Sequence, residues 1–198
     1  MAQHDGRPAL LTTQRVRLRQ WRQADRPLFA AMNADAEVMA HFPAPLTRAE
    51  SDTLVDRCAA EIEAQGWGFW AAEHADSGVF MGMVGLHAVH ASLPFAPCVE
   101  VGWRLARPWW GQGLATEAAS AALTWGFDAL GLPEVVAFTA QSNQRSRGVM
   151  LRLGMQAAGT FEHPLLPADS RLREHVLFRL PAAAWRERAE TTPHPRKA

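Results

Sequence analysis

The chain has 198 residues, with 20 basic and 20 acidic side chains and a formal net charge of zero, so no global field draws it to nucleic acid or an anionic membrane. Hydrophobic residues make up 48% and charged residues 20%, which suits one globular domain with a sizeable core and excludes a disordered or fibrous chain. No apolar run approaches the ~20 residues of a membrane span, the start "MAQHDGRPALL" has no apolar signal core, and Cys58 and Cys98 make no disulfide framework, so a cytoplasmic protein is expected.

In chain order, "QRVRLRQW" alternates Val16 and Leu18 with Arg15, Arg17 and Arg19, the period of a strand near a sheet edge. "DRPLFAAMNA" reads as a short helix with Pro27 in its first turn. "DAEVMAHF" reads as a further short helix closed by "PAP". Thr47 and Glu50 stand at capping-box spacing; Leu54, Val55, Cys58 and Ile62 continue a helical stripe that Gly66 stops. "WGFWAAE" and "VFMGMVGLHAV" read as strands joined by a turn at Asp76–Gly78. "CVEVGWRL" is another, with Val99, Val101, Trp103 and Leu105 on one face and Glu100, Gly102 and Arg104 on the other. "LATEAASAALTWGFDAL" is an apolar helix ended by Gly131 and Pro133. "EVVAFTA" is a strand, "NQRSRGVMLRLG" a helix with an Asn cap and a Gly stop, and "MQAAGTF" and "REHVLFRL" late strands. The alternation of elements predicts a mixed α/β domain. One domain is expected over residues 11–187, between loose polar tails at 1–10 and 188–198.

The stretch "RPWWGQGLATEA" joins a strand to a helix through Gly111 and Gly113. The first amides of a helix have no intrahelical partner, the helix dipole adds partial positive charge, and glycines let a phosphate approach the backbone. A P-loop reading fails, because Leu114 and Ala115 stand where Lys and Ser/Thr are needed. A dinucleotide fingerprint fails at Thr116, where the third glycine belongs. A plain glycine-rich connection has the same sequence. Further on, in "NQRSRGVMLRLGM", Asn143 caps a helix and Ser146 is its third residue, a pattern that capping alone also explains.

Taken together, "EVGWRLARPWWGQGLATEA" and "NQRSRGVMLRLGM" resemble the two cofactor motifs of the GNAT N-acetyltransferase superfamily, and more narrowly its RimJ/RimL-like ribosomal-protein N-terminal acetyltransferase branch. The resemblance runs from about Leu11 to Leu180 and includes "LRQWRQADRPLFAAMNADAEVMAHF". It implies a mixed, mostly antiparallel central sheet of six to seven strands, helices on both faces, splayed between the fourth and fifth strands. It implies acetyl-CoA as acetyl donor, with the diphosphate on the amides of Trp110, Gly111, Gln112, Gly113, Leu114 and Ala115. The pantetheine arm would pair with backbone groups of Trp103 and Leu105, Asn143 would bond its amides, and Arg147 or Arg152 would meet the 3′-phosphate. A solvated helix face explains either arginine equally well.

Many relatives protonate the leaving thiolate with a tyrosine. That position is Met150 here, and the chain has no tyrosine. Ser146 is the substitute donor and Glu100 the candidate base, directly or through water; a strand-edge carboxylate paired with an arginine is the plain alternative for Glu100. His41 and Phe42, Trp67, His87 and His163 are candidate acceptor contacts. His87 and His90 lie three apart on a strand and face opposite ways, so they share no metal. No metal site, nucleic acid or membrane is expected, and the chain would be a monomer or homodimer.

The reading is an acetyl-CoA-dependent N-acetyltransferase acting on a primary amine, a protein N-terminus first and a small-molecule amine second. A non-catalytic acyl-CoA-binding module and a dinucleotide-dependent oxidoreductase are the alternatives.

Overall fold

The computed structural model describes residues 9–89 and 93–191; His90 lies outside them, as do most of the two stretches read as tails. Two short strands, β1 (Leu11–Thr12) and β2 (Val16–Arg19), lead into helices α1 (Asp25–Ala34) and α2 (Arg48–Gln65). Strands β3 (Phe69–His74), β4 (Phe80–Val89) and β5 (Cys98–Leu105) follow as a meander. A single 3-10 turn at Arg107–Trp109 leads to α3 (Leu114–Asp128), then β6 (Glu134–Ala140), α4 (Gln144–Arg152), β7 (Gln156–Glu162), β8 (Glu174–Pro181) and α5 (Ala182–Thr191). All strands join one open sheet of order β1-β2-β3-β4-β5-β6-β8-β7.

Every neighbouring pair is antiparallel except β5 and β6, which are parallel and register only at Glu100↔Val136. Beyond that point β5 continues to Leu105 and β6 to Ala140 without pairing. The expected mixed sheet with its splay is therefore present. It has eight strands because the two-residue β1 adds an edge, too short to show a period in sequence.

Local chemistry explains the main elements. Thr47 Oγ1 accepts from the Glu50 amide at 3.3 Å while the Glu50 carboxylate accepts from the Thr47 amide at 2.7 Å, the reciprocal cap that starts α2. Gly66, at φ 82°, ends it. "DAEVMAHF" is not the helix its composition suggests. Asp35 Oδ1 accepts from the amides of Glu37 and Val38 at 2.8 and 3.3 Å as a helix cap does, but after one turn, Met39 N–H to Asp35 C=O at 3.0 Å, the amides of Ala40 and Phe42 bond only three residues back, so no α-helical ladder builds. At the other end, α5 extends to Thr191, through residues 188–191 that read as tail.

Helices cover both faces. Trp70 of β3 meets Trp125 of α3 edge-on, with centroids 5.8 Å apart. Phe127 of α3 lies 6.0 Å from Trp185 of α5. On the opposite face, Trp21, Phe29 and Phe80 pack at 4.9–6.3 Å beneath α1. Beside them Arg19, 6% exposed, is held by Asp25 at 2.7 and 2.9 Å and by the buried Glu73. The guanidinium and its two carboxylates compensate each other away from water.

Candidate functional site

The turn after β5 is built to leave amides bare. Gly111 and Gly113 sit at φ 74° and 78°, a region that side-chain-bearing residues enter at a cost of roughly 1–2 kcal/mol. Among the described residues, no main-chain carbonyl accepts from the amides of Gly111, Gln112, Gly113, Leu114 or Ala115; the helical ladder begins with Glu117 N–H to Gly113 C=O at 3.0 Å. A β-carbon on Gly111 would meet nothing within 4 Å, and one on Gly113 only Arg15 Nη2 at 3.6 Å, so the space beside Gly111 is open. Trp110 differs from its neighbours, because its amide donates to Arg107 C=O at 3.2 Å.

The turn is anchored from the far edge of the sheet. Arg15, just before β2, donates through Nε to Glu117 Oε2 at 2.7 Å and through Nη1 to Gln112 C=O at 3.0 Å. Thr13 Oγ1 and the Arg15 amide donate to Glu117 Oε1 at 2.7 and 2.8 Å. Burial works to raise the Glu117 pKa, but the bonds from Thr13 and Arg15 outweigh it and hold the carboxyl below its ordinary value. Gln112 Nε2 folds back to Pro108 C=O at 2.8 Å.

The splayed edge of β5 supplies a second set of free groups. Ala106 N–H donates to Met81 C=O on β4, and alternation along the strand turns the main-chain groups of Trp103 and Leu105 toward β6. The Leu105 carbonyl is already taken by the Trp110 indole N–H at 2.7 Å. Trp103 N–H and C=O and Leu105 N–H have no strand partner there, since β5 and β6 register only at Glu100↔Val136.

The start of α4 forms the other wall. Asn143 Oδ1 accepts from the Ser146 amide at 3.2 Å and its Nδ2 donates to Thr139 Oγ1 at 3.0 Å, so it is a helix cap with one donor and one lone pair to spare. Met150, at the position of the relatives' tyrosine, is 1% exposed and part of the core. Arg152 Nε approaches Thr116 Oγ1 in the first turn of α3 at 3.4 Å, beside the bare amides. Arg147 instead donates to Gln141 C=O at 3.2 Å.

A bridge crosses the opening. Glu37 accepts from Arg107 Nε at 2.8 Å and pairs with Arg145 Nη1 at 3.5 Å. Both guanidiniums lie over the Trp110 ring, at 5.2 and 4.8 Å from its centroid. His41 Nδ1 is 3.4 Å from Ser142 Oγ. Burial lowers the His41 pKa, with the charges of Arg171 and Arg145 adding to it.

On the sheet face beneath α1 and α2, His87 Nδ1 lies 3.1 Å from Glu100 Oε1, and its Nε2 lies 3.9 Å from Glu61. The ring stacks on Phe69 at 5.5 Å. The bond to Glu100 raises the His87 pKa despite burial. Gly102 makes room for this stack: a β-carbon there would come within 2.8 Å of the Phe69 ring. His163, on the β7–β8 connection, is 4.9 Å from His175, with Phe138 and Phe161 around them. Burial lowers both imidazole pKa values, Glu100 opposing this at His163 and a bond to Arg173 C=O opposing it at His175. Phe42 lies against Arg104, its centroid 4.1 Å from the guanidinium carbon.

The structure thus brings Glu100, His87 and His163 to one face of the splay, and His41 and Phe42 to its rim. Trp67, in the connection between α2 and β3, is partly buried and packs against the core. Arg15, Glu117, Glu37, Arg104 and His175 were not singled out in sequence. Arg15 and Arg104 had a signal there, each on the polar face of a predicted strand.

The acetyltransferase (GNAT) domain family matches residues 15–156. The uncharacterized protein YkkB of Bacillus subtilis is 29% identical over 151 residues, 76% of this chain and 87% of that protein. An acetyltransferase structure from Agrobacterium tumefaciens is 26% identical with a TM-score of 0.70, over 87% of this chain and 94% of that one. Mycobacterium smegmatis RimJ, solved in complex with CoA-disulfide, has the same fold at 22% identity and a TM-score of 0.71, over 94% and 97% of the two chains. Fold and likeness together define an acyltransferase. The chain belongs to the GNAT acetyltransferase family, whose acetyl donor is acetyl-CoA.

Proposed function

We propose that the chain transfers the acetyl group of acetyl-CoA to a primary amine, with a protein N-terminal α-amine as the leading acceptor and a small-molecule amine as the second. The observation that carries this reading is the row of bare amides at Gly111–Ala115 beside the unpaired edge of β5. The amides would receive the diphosphate, Arg152 the 3′-phosphate, and Trp103 and Leu105 the pantetheine arm as an added strand. The cap role of Asn143 leaves it one donor for a pantetheine carbonyl.

In the reaction the amine nitrogen bonds to the thioester carbon, the C–S bond breaks and its electron pair leaves on sulfur. Glu100, oriented by His87, takes the amine proton directly or through a water. Ser146 donates a hydrogen bond to the departing thiolate. A thiol pKa of about 8.5 makes that thiolate a fair leaving group, so a strong acid such as a tyrosine is dispensable. An α-amine, with a pKa of roughly 7.7–8.0, is about 30% neutral near pH 7.5, against about 0.1% for a lysine at about 10.4. A site with a modest base therefore favours α-amines, and the motif resemblance to the RimJ/RimL-like branch points the same way.

The test is thiol release from acetyl-CoA with a panel of peptide N-termini, amino sugars and polyamines. Turnover with at least one amine, reduced in Glu100→Gln, is expected. Unchanged rates in both Glu100→Gln and Ser146→Ala would remove the two catalytic assignments.

A further inference from the structure

Two arginines face the α1 side of the sheet, Arg19 buried and Arg104 largely so, and they are treated differently. Arg19 has Asp25 and Glu73 as partners. Arg104 has no carboxylate partner among the described residues. Its Nη1 donates to Asn33 Oδ1 at 2.7 Å, and Asn33, fully buried, is itself fixed by Nδ2 donating to Ser51 Oγ at 2.9 Å. Its Nε is shut away from solvent with no hydrogen-bond partner. Phe42 covers one side of the guanidinium. Burial brings the pKa down to about 10, so the charge remains at neutral pH. The nearby Cys58 thiol does not supply the missing charge, because burial pushes its pKa up to about 12. A buried cation without a counter-charge is costly, and a neutral amide and a ring face compensate it only in part.

Arg104 shares its face of β5 with Glu100, and over Gly102 between them lies the edge of the Phe69 ring. Arg104 stands four positions beyond Glu100, about 13 Å along β5. Phe42 is exposed and Arg104 is partly so, so an edge of the pair can be reached from the rim.

We propose that Arg104 receives an anionic group of the acceptor, so that the acceptor is a primary amine that also carries a carboxylate. This rests on the acetyl-transfer reading above and names its substrate class. The amine lies toward Glu100 and the carboxylate toward Arg104, which holds it against Asn33 and Phe42. A free amino acid and an N-terminus followed by an acidic residue present the same chemistry.

The test compares ω-amino acids of increasing length with the matching ω-amino amides, and a pentapeptide bearing Glu at its second position with its Gln counterpart. Wild type and Arg104→Gln are followed by thiol release. Wild type is expected to prefer the acid of a pair by roughly tenfold or more in kcat/KM, the scale of a charged hydrogen bond. Arg104→Gln should reduce that preference to under about threefold, through KM, with acetyl-CoA affinity unchanged. Arg104→Lys should recover part of it. The arm showing the preference, free acid or peptide, identifies the source. Equal use of acid and amide by wild type overturns the proposal without needing any variant. A variant that loses acetyl-CoA affinity but keeps the preference overturns it too, and assigns Arg104 to the donor.

Calorimetry of the same amines on CoA-loaded protein separates the two readings. Acids that bind wild type but not Arg104→Gln, without any turnover, would sustain the anion site and sink the acetyl-transfer reading. No discrimination in binding or turnover sinks the anion site.

Discussion

His87 Nδ1 and Glu100 Oε1 are 3.1 Å apart across β4 and β5, where the two residues stand directly opposite each other in the sheet register. The carboxylate raises the His87 pKa, so the pair adds stability fully below the ordinary histidine value of about 6.5 and loses it as pH climbs through the raised folded value. In Glu100→Gln the His87 titration midpoint should fall, and the melting-temperature advantage of pH 6 over pH 8 should shrink. Proton NMR of the imidazole and melts at the two pH values check both.

Glu117 is held below its ordinary pKa by Thr13 and Arg15. Its contribution to stability is present above about pH 4.3 and is lost as pH falls through the depressed folded value. Glu117→Gln should therefore flatten the acid limb of the stability curve. It should also weaken acetyl-CoA binding by about tenfold, because Arg15 would no longer fix the Gln112 carbonyl and the amides beyond it. Calorimetry at neutral pH measures the second effect.

The Arg19 cluster is expected to dominate stability on the α1 side. Glu73→Ala would leave Arg19 with one carboxylate instead of two and should cost about 3–5 kcal/mol in urea unfolding. The change should leave acetyl-CoA affinity alone in whatever fraction stays folded.

Met150→Tyr tests whether the relatives' phenol can simply be restored. Met150 is sealed in the core, so the larger ring should destabilise the fold by about 1–3 kcal/mol and give no gain in kcat. Ser146→Ala should lower kcat by about two- to tenfold, the scale of one modest hydrogen bond, with KM for acetyl-CoA unchanged.

Local signals carried far in this chain. The spans of α1, β5 and β6 follow from periodicity, caps and breakers within each segment, as does the glycine turn. The failures arise where a distant partner or a competing side chain decides. Asp35 caps "DAEVMAHF" as if to start a helix, yet only one turn forms before the bonds tighten to three-residue spacing. Arg15 and Glu117 are 102 residues apart, and nothing local couples them. In sequence Asn143 suited both a cap and a pantetheine contact; its hydrogen bonds to Ser146 and Thr139 make it a cap first. Arg104 was visible as a charge on the polar face of β5, but its lack of a carboxylate among the described residues is a property of everything packed around it.

Glu37 ties Arg107, which follows β5, to Arg145, which opens α4. One carboxylate on the segment after α1 thus latches both jambs of the wedge between β5 and β6. The three side chains are about half exposed or more, so solvent screens both pairs and the latch is weak. The wedge therefore yields to an entering arm at small cost, held by charge that salt dissolves.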